Sequence, residues 1–112
     1  MEMTVLFAGV TVRDYPRAVD WWTRLFGRPA DVVPFDKEVM WRINEKALVY
    51  VLDDPENASP RLVTIAVADL DGAIAELAER GIDPTAVEQV GAAGRKATFT
   101  DPEGTTVSLI QV

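Results

Sequence analysis

Any chemistry in this chain falls to oxygen atoms and to the cations of Arg and Lys, because its 112 residues include neither His nor Cys. Without imidazole there is no Ser-His-Asp triad, no His general base and no His-ligated metal. Without thiol there is no thiolate nucleophile and no Cys-bound zinc. Few candidates remain. Tyr50 stands among apolar neighbours in ALVYVLD and is a possible proton donor. Ser108 lies on the closing strand of FTDPEGTTVSLIQV, seven residues past Asp101. Arg95 and Lys96 sit beside a turn, where they could hold an anion or simply solvate a hairpin. Asp53-Asp54-Pro55-Glu56 concentrates acids, but without the ligand spacing of a calcium loop it reads as a solvated linker. Asn57-Ala58-Ser59 matches a glycosylation sequon, which is read as chance without a secretion signal.

Eleven basic against eighteen acidic residues give a net charge of −7. That argues against nucleic acid and anionic membranes as partners, since both reward basic patches. The first residues lack a basic segment followed by a long apolar one, and no window approaches the apolar length of a spanning helix. With no Cys, nothing marks an oxidising compartment. The expected location is cytoplasmic, with no membrane partner.

The elements that would position these residues come in two copies. FAGVTVRDYPRAV, from Phe7, recurs 55 residues later as LVTIAVADLDGAI, from Leu62. Val10 falls on Ile65, Val12 on Val67, Asp14 on Asp69 and Ala18 on Ala73. Each copy opens with an alternating strand, then an Asp suited to cap a helix, then a helix ended by Gly27 or Gly81. The spacing predicts helices over 15–26 and 70–80, with Ala18, Trp22, Leu25 and Phe26 inward in the first and Leu70, Ala73, Ile74 and Leu77 inward in the second. Strands are expected at 30–35, 38–43 and 47–52, then at 85–90, 95–100 and 105–111. The order is βαβββ twice: an α+β fold with repeat 1 at about 1–53, a linker at 54–60 and repeat 2 at about 61–112, all within a single domain spanning 1–112. Two such units can place helices on the convex face of curved, antiparallel-rich sheets and leave a concave cleft.

VTVRDYPRAVDWWTRLFG resembles the first helical region of the vicinal oxygen chelate superfamily, which includes glyoxalase I, the bleomycin-resistance proteins and the extradiol dioxygenases. The family's aromatic pair is here Trp21-Trp22, and its closing pair is Phe26-Gly27. IAVADLDGAI resembles the second-half counterpart, and DPEGTTVSLIQV the closing hairpin. The resemblance implies four metal-ligand positions, on the first and last strands of each half. They fall here on Phe7, Tyr50, Leu62 and Ser108. Two are hydrocarbons and two are neutral hydroxyls, so no metal, no cofactor and no catalytic residue is expected. The most similar branch is the metal-free bleomycin-resistance type.

Strand parity assigns Phe7, Gly9, Thr11, Leu48, Tyr50, Leu52, Leu62, Thr64, Ala66, Thr106, Ser108 and Ile110 to the cleft, with Trp41 and Phe99 joining them. Such a surface, apolar with scattered hydroxyls and without formal charge, suits a small hydrophobic or aromatic molecule. The same aromatics could instead fill the interior and leave no pocket. The leading expectation is a metal-independent small-molecule binding protein, sequestering an antibiotic or hydrophobic metabolite. The alternatives are a metal-dependent lyase or dioxygenase of the glyoxalase type, and a ligand-free structural paralogue. A homodimer is expected, because pairing would cover exposed sheet edges.

Overall fold

The computed structural model describes residues 1–92 and 94–111. Contacts divide the chain into two compact units, Met1–Ser59 and Pro60–Val112. The first unit contains β1 (Leu6–Val12), α1 (Tyr15–Phe26), β2 (Val32–Phe35), β3 (Glu38–Asn44) and β4 (Ala47–Asp53). The second contains β5 (Leu62–Ala66), α2 (Leu70–Glu79), β6 (Ala86–Val90), β7 (Gly94–Thr100) and β8 (Thr106–Gln111). This is the βαβββ order twice, in an α+β fold, with element ends within a residue or two of those expected.

The helices begin and end for local reasons. Asp14 Oδ1 accepts from the Arg17 N–H at 3.2 Å, and Asp69 Oδ1 from the Gly72 N–H at 3.0 Å. Each carboxylate thus satisfies a donor that a first helical turn leaves free. Pro16 sits in the first turn of α1, where a missing N–H costs nothing. Gly27, at φ 72°, ends α1 in the left-handed region and donates to Thr23 O at 2.8 Å. The start of α2 is also tied to the last strand, because Gln111 Oε1 accepts from the Leu70 N–H at 2.7 Å.

Each unit forms a four-stranded sheet, β1-β4-β3-β2 and β5-β8-β7-β6. In both, the first strand runs parallel to the last and the other two pairs are antiparallel. The registers correspond. Phe7 pairs with Leu48 and Gly9 with Tyr50; Leu62 pairs with Thr106 and Thr64 with Ser108. Tyr50 therefore occupies in the first sheet the place of Ser108 in the second.

One face of each sheet is covered by its helix. In the first unit Val10, Val12, Trp41 and Val51 are fully buried with Trp22 of α1. Phe26 links the layers, its ring 5.9 Å from Trp22 and 5.3 Å from Trp41. Trp21 is also buried, edge-on to Trp22 at 5.3 Å. In the second unit Ala97, Phe99 and Val107 are buried with Leu70 and Leu77 of α2, while Ala73 and Ile74 are only half-buried. The Asp101–Gly104 turn is a built device. Asp101, 4% exposed, accepts at Oδ1 from the N–H groups of Glu103 (2.9 Å) and Thr105 (2.8 Å). Thr105 Oγ1 in turn accepts from the Arg61 N–H at 3.0 Å, anchoring the chain as it enters β5. Among the described residues, no helix is long and apolar enough to cross a membrane.

Candidate functional site

The helix-free face of the first sheet is set by strand alternation. Val10 and Val51 face α1, so Phe7, Gly9, Thr11, Leu48, Tyr50 and Leu52 face away. The partner strand β3 adds Arg42 opposite Leu48, Met40 opposite Tyr50 and Glu38 opposite Leu52. Phe7 is 53% exposed, an unusual position for a large apolar ring. The far end of the Tyr50 ring covers Gly9, and a Cβ at position 9 would overlap it and stand 2.7 Å from Cε2. Gly9 is thus required by space, not by backbone angle. Thr11 is engaged by its own unit, donating its hydroxyl to Asn57 O at 2.9 Å.

A hollow of about 350 Å³ opens on this face, lined by Val5, Phe7, Val32, Pro34, Met40, Arg42, Glu45 and Leu48. Two register shifts border it. One lies between Val32 and Phe35 on β2, and the other between Arg42 and Asn44 on β3. Such bulges bend a strand and re-aim its side chains. The β6–β7 and β7–β8 pairs of the second unit run without a shift.

The helix-free face of the second sheet has a different chemistry. It carries Leu62, Thr64, Ala66, Thr106, Ser108 and Ile110, joined by Lys96, Thr98 and Thr100 from β7. Leu62 is 84% exposed, whereas Ser108 is buried. Lys96 Nζ pairs with Glu88 at 3.5 Å, and Arg95 pairs on the other side with Asp71 at 3.0 Å. The two cations beside the turn are therefore both matched by carboxylates.

Two expected cleft residues lie elsewhere. Trp41 packs on Phe26, with Nε1 donating to Arg28 O at 3.0 Å, on the helix side of its sheet. Phe99 pairs with Val107 in the buried helix-side layer. The reason is parity: Val39 and Trp41, or Ala97 and Phe99, are the apolar members of their alternations. The residues that face away are Met40 and Arg42, which the sequence reading left out. The expectation of uncharged faces is corrected at the same time, by Arg42 on one sheet and the Lys96–Glu88 pair on the other.

The four positions where the fold family would seat a metal do not suit one. Phe7 and Leu62 have no lone pair to give, and Tyr50 and Ser108 offer only neutral hydroxyls. Among the described residues no group of three or more Asp, Glu, His or Cys could hold a metal ion.

The Arg28 fork beside Asp31, with the Arg42 N–H, holds the Asp31 carboxyl below its usual range. Arg95 does the same for Asp71. Partial burial, helped by the nearby charges of Asp53 and Glu38, pushes the Tyr15 phenol up.

The model of the glyoxalase/bleomycin resistance protein/dioxygenase superfamily matches residues 4–109. A glyoxalase/bleomycin resistance protein from Catenulispora acidiphila is 33% identical, with a TM-score of 0.91 over 97% of this chain and 98% of its own. A bleomycin-binding protein solved with bleomycin shares the fold at 20% identity, with a TM-score of 0.75 over 96% of this chain and 97% of its own. A lactoylglutathione lyase from Agrobacterium tumefaciens shares it at 13% identity, with a TM-score of 0.75 over 98% of this chain and 94% of its own. No protein of curated function shows a significant sequence match.

Proposed function

Because the chain belongs to the glyoxalase/bleomycin resistance protein/dioxygenase superfamily, we propose that it is a metal-independent small-molecule binding protein whose ligand is hydrophobic or aromatic. The family alone does not select this reading, since its fold serves a binding protein, a lyase and oxidases. The observation that carries it is the hollow on the first sheet. An exposed Phe7, the Met40 thioether and a Leu48 floor offer stacking and apolar burial in a volume that holds a small organic molecule. The donor set argues the same way, because nothing at the family's four metal positions has the basicity to hold a divalent cation.

Binding removes the ligand from solution without transforming it. The ionisable side chains that line the hollow are Arg42, which stays charged, and Glu45, which stands on an exposed turn. A homodimer in the cytoplasm completes the proposal. It is supported by the apolar side chains left outside, with Phe35 69% and Leu62 84% exposed, and by the absence of Cys. Sedimentation equilibrium at micromolar concentration should return twice the chain mass, and a monomer would remove the dimer from this account.

A thermal-shift panel of aromatic antibiotics and metabolites, with bleomycin included, tests the binding reading. A ligand at 100 times its Kd stabilises by about 2.7 kcal/mol, enough to raise the midpoint by several degrees. The shift should survive excess EDTA and shrink in Phe7→Ala, whose exposed ring is not needed for folding. Silence across the whole panel would leave the ligand-free paralogue standing. Stoichiometric metal in protein purified without chelator, with binding lost in EDTA, would favour the lyase or dioxygenase class instead.

A further inference from the structure

The hollow contains one feature that a purely apolar ligand would waste. We propose that it selects an amphiphilic anion: an apolar or aromatic body of one or two rings bearing a carboxylate, sulfonate or phosphate that pairs with Arg42. This rests on the reading of the hollow as a binding site and names the chemical class of its ligand.

Arg42 is held in place at its backbone. Its N–H donates to Asp31 Oδ2 at 2.8 Å, and its carbonyl accepts from Arg28 Nη2 at 2.6 Å. The strand bulges immediately after it. Its guanidinium is not committed in the same way. Among the described residues, no carboxylate lies within ion-pair distance of it. Asp31 senses its charge, but both oxygens of Asp31 already accept hydrogen bonds, Oδ1 from Arg28 Nε and Oδ2 from Arg28 Nη2 and the Arg42 N–H. An exposed guanidinium beside Phe7, Met40 and Leu48 is weakly hydrated and presents a planar fork that matches an oxyanion.

The second copy of the repeat lacks this device. The register that sets Arg42 opposite Leu48 sets Thr100 opposite Thr106, and the cation on that face, Lys96, is matched by Glu88. The unmatched cation is therefore particular to the face that has the hollow. Glu45 also lines the hollow, but it sits on the exposed turn between β3 and β4. Arg42 is fixed on the strand, while Glu45 can turn to water.

Paired fluorescent probes of similar shape test the proposal: anionic 1-anilinonaphthalene-8-sulfonate and neutral N-phenyl-1-naphthylamine, titrated into the intact protein. The wild type should bind the sulfonate more tightly, and added salt should weaken the sulfonate alone. Arg42→Met should weaken the sulfonate about tenfold, the value of one charge-assisted contact, and leave the neutral probe within about twofold. Arg42→Lys should fall between. Equal affinities with no salt effect, or equal loss of both probes in Arg42→Met, would overturn the anion preference while leaving the hollow as a site. If neither probe binds the wild type, the binding reading falls and this proposal with it. The salt and probe comparison on the wild type needs no variant, so a poorly folding substitution leaves the test intact.

Discussion

Gly9→Ala should destabilise this protein, against the ordinary rule for a glycine in a strand. Gly in a strand interior is worse than Ala by about 0.5–1 kcal/mol, so an unobstructed substitution would stabilise by that amount. Position 9 is obstructed. The new methyl would overlap the Tyr50 ring and stand 2.7 Å from its Cε2, where carbon atoms rest at about 3.5–4.0 Å. The ring must withdraw by about 1 Å, giving up its seat across the strand pair that joins Gly9 to Tyr50. Overpacking of this kind costs roughly 1–3 kcal/mol. Tyr50 is half-buried and three of its atoms meet the new methyl, which places the cost near the middle of that range, about 2 kcal/mol. The expected balance is about 1 kcal/mol of net destabilisation, or about 4 °C in Tm for a domain of this size.

Urea unfolding followed by fluorescence of the three Trp residues measures it. The same substitution made in a Tyr50→Ala background meets no ring and should stabilise by about 0.5–1 kcal/mol. The cycle should therefore show a coupling of at least about 1.5 kcal/mol. A Gly9→Ala protein more stable than wild type, with additive behaviour in the cycle, would refute the claim that Tyr50 covers Gly9. It would also free Tyr50 to be counted as an exposed part of the binding face.

Two further predictions concern the frame. Asp101→Ala removes two hydrogen bonds and strands the N–H of a nearly inaccessible Thr105, so it should cost about 3 kcal/mol in urea titration, while Asp101→Asn, which keeps an acceptor oxygen, should cost about 1 kcal/mol. Stability should be nearly flat from about pH 5 to 7, because the chain has no His. The Asp31 and Asp71 carboxyls are lowered by Arg28 and Arg95, so their contribution is present above the ordinary value of 3.8 and is lost as pH falls below it. Tyr15 is raised, so its contribution is lost as pH climbs above 10.0. Urea midpoints across pH check both slopes, and Asp31→Asn should make the acid slope shallower.

The element order was legible because its signals are local. An Asp before an apolar stripe, a Gly after it and alternating strands on either side each act within a few residues, and the repeat doubled every signal. The parity of β3 was equally legible in EVMWRIN, where Val39, Trp41 and Ile43 alternate with Glu38, Met40, Arg42 and Asn44. What joins Trp41 to the cleft in the sequence is its correspondence with Phe99 in the other half, which does not say which face the two share. Deciding between the faces takes the partner ring of Phe26 and the Arg28 carbonyl, which come from a different element. The hollow could not be read at all. It is bordered by bulges in β2 and β3; Pro34 in VVPF fits an edge strand as well as a bulge and does not choose between them, and WRIN carries no such mark.

The two copies of the repeat share a frame and have parted in what they display. Equivalent register positions read Phe7, Leu48, Tyr50, Met40 and Arg42 on one sheet and Leu62, Thr106, Ser108, Thr98 and Thr100 on the other. One set is aromatic and apolar with a cation; the other is chiefly hydroxyls. Stability did not require this difference, because the buried faces beneath are alike: Val10 and Trp41 correspond to Ile65 and Phe99, and Val51 to Leu109. The helix-side faces keep large apolar residues at equivalent positions, so the two displays differ without a change in the kind of core beneath them.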